Sequence, residues 1–353
     1  MRFELSDDQR AIQGTAREFL AARYPPEEIR RLAFDDERGF TDDQWAAVAE
    51  LGWPALVVGE DEGGLALGAV ELAVLQEQLG YALAPMPLFS TVAAALVIGE
   101  SGDAQQRARW LGPMTEGELR GTISGPPDAG AVVADGDTLA GTLEAVPEAA
   151  SADVLVVAFG EDGRPMVVDL HGDGVSIERA GALDPTRRLF TVTLDGAHAE
   201  PLRGDDPPSH AYDTIAVALA AESVGVAQRT MEMAVEHARD RKQFGQPVGV
   251  FQAVSHACAQ MLLETEGARS AVLYAAWALD EAPDEAPLAA AMAKSYASDA
   301  GWRVPAAALQ VLGGIGFTWE HDLHLWLKRG RANAAAWGDA RSHRRRVADL
   351  LAL

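Results

Sequence analysis

The sequence predicts a multidomain α+β chain with a helical N-terminal region, a middle β region and a helical C-terminal bundle. Three observations carry this. Apolar residues recur at spacings of three and four from Ser6 to about Leu111. Between Glu118 and Glu200 they give way to short β-branched runs separated by Gly, Asp and Pro. From Ser209 onward the helical spacing returns. The expected limits are 1–115, 116–206 and 207–353.

Ser6 is placed to cap a first helix whose inner face carries Ile12, Ala16, Phe19 and Leu20. A second helix fits "TDDQWAAVAELGW", with Thr41 as its cap and its end at Gly52. The glycine-rich "PALVVGEDEGGLALG" reads as an extended loop, and a leucine- and alanine-rich helix follows from about Ala69 to Leu83. In the middle, "GTIS", "AVVAD", "DVLVVAF", "PMVVDL" and "LFTVTLD" read as strands of a small antiparallel sheet or barrel. Long helices are expected over about 210–241 and 251–279, with more beyond Pro287. No internal repeat and no low-complexity tail interrupts this order.

Lys and Arg number 29 against 53 Asp and Glu, a net charge of −24. Such a field repels nucleic acid and anionic membrane surfaces, so any anionic ligand needs a local basic site. The mean hydropathy is near zero, and the longest apolar runs fall short of the roughly 18 residues a membrane span needs. One cysteine, Cys258, allows no internal disulfide, and the opening "MRFELSDDQR" has no signal-peptide character. A cytoplasmic protein without membrane or nucleic-acid partners, and without a metal, is expected.

Two stretches carry chemistry. In "RKQFGQPVGVFQ" (Arg241 to Gln252) a charged helix end runs into a Gly-Gln-Pro turn. A cation is favoured there by the helix dipole even without a ligand. In "QVLGGIGF" (Gln310 to Phe317) paired glycines suit either a plain helix connection or a close backbone approach. No strand precedes it and GxGxxG spacing is absent, so a Rossmann site is not supported.

Together, behind a helix-β-helix layout, these stretches make the chain resemble the acyl-CoA dehydrogenase family over its full length. "RKQFGQPVGVFQAVSHACAQM", "QVLGGIGFTWEHDLHLWLKRG" and "LDPTRRLFTVTLDGA" carry the resemblance. It implies a flavoprotein that oxidises the Cα–Cβ bond of a CoA thioester. It also implies that Arg241, Gln243, Phe244, Gln310, Gly313 and Gly314 contact the adenosine and pyrophosphate half of an FAD belonging to a neighbouring subunit. An Arg fork matches phosphate oxygens bidentately, and glycines let backbone N–H groups come close.

The family base, a Glu in a Tyr-Glu-Gly turn, falls here on Trp337, followed by Gly338. The position that carries the Glu in other members, on the helix before the Arg turn, holds Ile215. Neither can take a proton. Asp213 and Asp339 are the nearest carboxylates, to be weighed against helix capping and a solvated turn; Glu222 and Glu320 read as structural. The middle region departs too: "GPPDAG" replaces a longer loop, and no Trp-x-Thr/Ser element occurs to pack on the flavin ring.

Those absences, and a Trp-Gly-Asp turn in place of Tyr-Glu-Gly, resemble the non-catalytic β-type subunit of actinobacterial α2β2 steroid acyl-CoA dehydrogenases. The resemblance implies a partner subunit that carries the Glu and shares the FAD, a bulky acyl-CoA substrate such as a steroid side-chain thioester, and electron-transferring flavoprotein as acceptor. Two other readings stand beside it. One is a homomeric dehydrogenase using Asp213 or Asp339 as base; the other is a flavin-free scaffolding member of the fold.

Overall fold

The computed structural model describes residues 4–125, 131–158 and 164–353. Among these residues six helices come first: α1 (Asp7–Arg23), α2 (Pro26–Phe34), α3 (Asp42–Glu50), α4 (Ala69–Ala82), α5 (Leu88–Ser101) and α6 (Ala104–Thr115). Among the described residues seven strands follow: β1 (Gly121–Ile123), β2 (Ala131–Asp135), β3 (Thr138–Pro147), β4 (Val154–Val157), β5 (Met166–Asp169), β6 (Val175–Arg179) and β7 (Leu189–Pro201). The rest is α7 (Ser209–Asp240), a hairpin of β8 (Lys242–Gln243) and β9 (Gln246–Pro247), α8 (Gln252–Glu281), α9 (Ala286–Leu312), α10 (Leu323–Ala335) and α11 (Ala340–Leu350). No described helix is long and apolar enough to cross a membrane.

The caps expected at Ser6 and Thr41 are present as reciprocal boxes. Ser6 Oγ accepts from Gln9 N at 3.1 Å while Ser6 N donates to Gln9 Oε1 at 2.9 Å, and Thr41 with Gln44 repeats the pattern. The glycine-rich stretch after α3 is turn-rich and holds one short 3-10 helix, Glu60–Glu62.

The chain divides into two compact units. One comprises Met1–Ile29, Ala69–Ala84 and Ala216–Leu353, the other Arg30–Gly68 and Pro85–Ile215.

The second unit contains the sheet, ordered β1-β4-β5-β7-β3-β2 with β6 on β7. It is antiparallel apart from the parallel β1–β4 pair. Alternation along β7 buries Phe190, Val192 and Leu194 on one face, where they meet Leu139, Leu143, Val146 and Val168. Arg188, in the "LDPTRR" segment, is buried, and its guanidinium donates to the carbonyls of Leu32 and Asp36, both at 2.6 Å, and of Glu37 at 3.1 Å. One side chain thereby closes the turn after α2.

The first unit is a helical bundle whose contacts are lined with alanine. Ala268, Ala275 and Ala276 of α8 share a core with Ala289, Ala290, Ala293 and Ala297 of α9. Small side chains let helix axes come close. The limit is reached where α4 crosses α7: a Cβ on Gly225 would lie 1.9 Å from Glu77 O, and one on Gly80 would lie 2.0 Å from Glu222 O. Glu222 itself is buried against Arg329 in an ion pair inside the bundle, in keeping with its structural reading.

Candidate functional site

Arg241 follows the last turn of α7, with its N–H on His237 O at 2.9 Å and its carbonyl accepting from Val248 N at 2.8 Å. The backbone is therefore fixed while the side chain is exposed. Among the described residues its guanidinium pairs with no carboxylate, although the chain carries a net charge of −24. Beyond it, Lys242 and Gln243 pair with Pro247 and Gln246. Phe244 (φ 52°) and Gly245 (φ 81°) close the hairpin, both in the left-handed region, as a two-residue type I′ turn requires. Glycine adopts this freely. For Phe244 it is strained, and the ring stands 90% exposed, touching Phe251 edge-on at 6.0 Å.

Gln310 is exposed in the last turn of α9. The helix ends at Gly313 (φ 62°, ψ −139°), and Gly314 is exposed. A Cβ on either glycine would meet nothing within 4 Å, so packing inside this chain does not demand bare backbone at Gly314.

Both stretches sit at one end of the bundle. Met231 and Ala234 near the end of α7, Met261 of α8, Ala308 and Leu312 at the end of α9 and Leu323 at the start of α10 share one apolar cluster. An unpaired guanidinium, an exposed ring and open glycine backbone thus occur together, as binding a diphosphate and a flat base requires. Val250, Leu262, Leu263, Ile315, Phe317 and Trp319 are exposed nearby in sequence.

The Trp337 turn, between α10 and α11, lies at the other end. Trp337 (φ 56°) and Gly338 (φ 85°) make the turn, and His343 Nε2 contacts Trp337 O at 2.9 Å. Asp339 caps α11, accepting from Ser342 N at 2.8 Å. That hydrogen bond holds its carboxyl below the usual carboxylate range.

Under the turn lies Lys294 of α9, 1% exposed, a residue that sequence reasoning passed over. Its Nζ donates to Ser298 Oγ at 2.8 Å and to the carbonyls of Asn333 and Gly338, both at 3.1 Å. Burial pushes its pKa down to about 7, opposed by Asp339. The available signal was position: Ala290, Ala291, Ala297 and Ser298, three and four residues away, are all small and buried. From Lys294 to Gln310 the helix rises about 24 Å at 1.5 Å per residue. The Arg241 end and the Trp337 turn are therefore separate places on this chain.

In the second unit, Ile215 is 1% exposed and apolar, and Asp213 is buried. Asp213 does not begin its helix. α7 starts at Ser209, and its free N–H groups at His210 and Ala211 are taken by Glu100 of α5, at 3.2 and 2.5 Å. The shortened "GPPDAG" loop, apart from Gly125, lies outside the described residues.

Family models for the acyl-CoA dehydrogenase N-terminal and C-terminal domains match residues 6–118 and 213–352. Acyl-CoA dehydrogenase IpdE2 of Mycolicibacterium smegmatis is 31% identical, covering 97% of this chain and 98% of the relative. Among solved structures, a variant of the Tcur3481-Tcur3483 steroid ACAD superposes with a TM-score of 0.90 at 30% identity, over 98% of both chains. The ChsE4-ChsE5 complex from Mycobacterium tuberculosis does so with a TM-score of 0.92 at 26% identity, over 100% of this chain and 99% of the other.

Proposed function

The chain belongs to the acyl-CoA dehydrogenase family, and from that premise we propose that it is the non-catalytic subunit of an α2β2 enzyme that desaturates a bulky, steroid-type CoA thioester. FAD is the cofactor and, when bound, supplies the acceptor for the hydride leaving Cβ. Arg241, Gln243, Phe244, Gln310, Gly313 and Gly314 hold its adenosine and pyrophosphate half, presented to the neighbouring subunit. The base that takes the α-proton comes from that neighbour.

The observation that carries this reading is the contrast between the two ends of α9. One end offers an exposed guanidinium without a partner and glycine backbone that no internal contact requires. The other has Trp337 where a carboxylate would act, in a turn tied down by Lys294 and His343. Asp339 is held ionised as a cap, the reverse of the raised pKa expected of a base in this chemistry. Exposed Ile315, Phe317 and Trp319 beside the glycines support coverage by a second chain. The steroid class and the unlike partner are supported by relatives described as a steroid ACAD and as a two-protein complex.

The test is to purify the chain alone and together with a second acyl-CoA dehydrogenase chain that carries the Glu. Alone it should hold little flavin and oxidise no acyl-CoA; together the two should hold one flavin per unlike pair and turn over. Arg241→Ala in the complex should weaken FAD binding by roughly tenfold or more, the scale of a lost charge-assisted phosphate contact. Full flavin occupancy and turnover by the single chain would overturn the reading, and unchanged flavin content in the variant would remove the half-site from it.

A further inference from the structure

A second basic place lies in the first unit and plays no part in the flavin half-site. α1, the start of α2, α4 and α7, with Trp326 of α10, line a solvent-open cavity of about 280 Å³. That is near the lower end of the range for small-molecule sites. Most of its wall is aliphatic or aromatic.

Two guanidiniums reach into it over one ring: Arg17 at 4.3 Å from the Tyr81 centroid and Arg229 at 5.6 Å. They are therefore no more than about 10 Å apart, within reach of one anion. Among the described residues neither makes an ion pair, in a chain where acidic residues outnumber basic ones by 53 to 29. The nearby carboxylate, Glu232, is engaged by the Tyr81 hydroxyl at 2.5 Å and by Gln228 Nε2 at 2.5 Å. The two cavity arginines thus face a committed Glu232, while Glu28 and Arg23 act in opposition on the Tyr24 hydroxyl.

The same wall holds two buried polar atoms with no partner, the Tyr24 hydroxyl and Gln78 Oε1, on side chains 3% and 4% exposed. Leaving such buried groups unsatisfied is costly, so they call for a partner. A plain hydrophobic gap would carry neither them nor the arginines.

We propose that this cavity binds a small organic acid, its carboxylate held by Arg17, Arg229 and the Tyr24 hydroxyl and its hydrocarbon body lying against Trp326. The planar carboxylate suits guanidinium forks, and the apolar wall selects an organic acid over a mineral anion. Gln78 Oε1 favours acids that also carry a hydroxyl. Such a site makes the chain responsive to a metabolite that need not be its CoA thioester.

Benzoate is the probe, titrated calorimetrically into the full chain, alone and in its complex, with inorganic phosphate as the comparison. We expect binding with a Kd below about 1 mM, weakened at least about tenfold by Arg17→Gln/Arg229→Gln and about threefold or more by Tyr24→Phe, with unchanged circular dichroism. If the double variant does not fold, the exposed Arg17→Gln alone decides and should weaken binding about threefold or more. No heat with benzoate means the cavity holds water only, which overturns the proposal. So does binding that ignores the arginine substitutions, or phosphate binding as tight as benzoate. None of these outcomes depends on flavin or on the partner subunit.

Discussion

Lys294→Met separates burial from ionisation at the Trp337 turn. The lysine is fully buried, and its pKa is about 7 in the folded chain against 10.5 when solvated. Folded pKa below unfolded pKa means that the unfolded chain holds more protons across that interval. Wild-type stability therefore rises as pH climbs from about 7 towards 10.5, and is lost as pH falls back. The full interval corresponds to about 5 kcal/mol, and between about pH 7 and about pH 9.5 the linkage amounts to about 3 kcal/mol. Methionine fills similar volume and has no such slope, but it leaves Asn333 O and Gly338 O without their donor, at about 1–3 kcal/mol each. The absolute change thus mixes a gain with a loss, whereas the pH dependence isolates the charge. Urea midpoints followed by circular dichroism at several pH values give both curves, and their difference cancels every other titration. The Met variant should lose ground to wild type by about 3 kcal/mol over that range. Curves that run parallel would mean Lys294 stays charged in the fold, and the reasoning about its burial would fail.

Two further outcomes are expected. Arg329→Met should cost about 3–5 kcal/mol in a urea melt, because it strands the buried Glu222 carboxylate, and adding Glu222→Met should recover most of that loss. Asp339→Ala should cost about 1 kcal/mol as a lost cap while leaving turnover of the complex within about twofold; a fall beyond about 100-fold would make Asp339 a base.

The order of helices and strands was legible because each has its own period and because the caps at Ser6 and Thr41 are local, formed by residues three apart. The Arg241 and Gln310 stretches stood out for the same reason, since turn chemistry is written in neighbouring residues. What stayed hidden was set by distant partners. The start of α7 depends on Glu100, more than a hundred positions earlier, so Asp213 looked like a cap. The parallel pairing of β1 with β4 follows from chain path and not from strand composition. Lys294 sits among small residues three and four positions away, but what buries it is the end of α10, and the Arg17, Tyr81 and Arg229 group is assembled from three helices whose sequences give no sign that they meet.

A helix span about 24 Å long, with the exposed Arg241 and glycine stretches at one end and a tied turn at the other, has an evolutionary consequence. On the proposed reading, that separation would let one copy of a duplicated gene lose its chemistry at the Trp337 turn and still be retained for the half-site it lends. Division of labour between two sister chains then needs no new contact surface, only tolerated decay at one end of a helix.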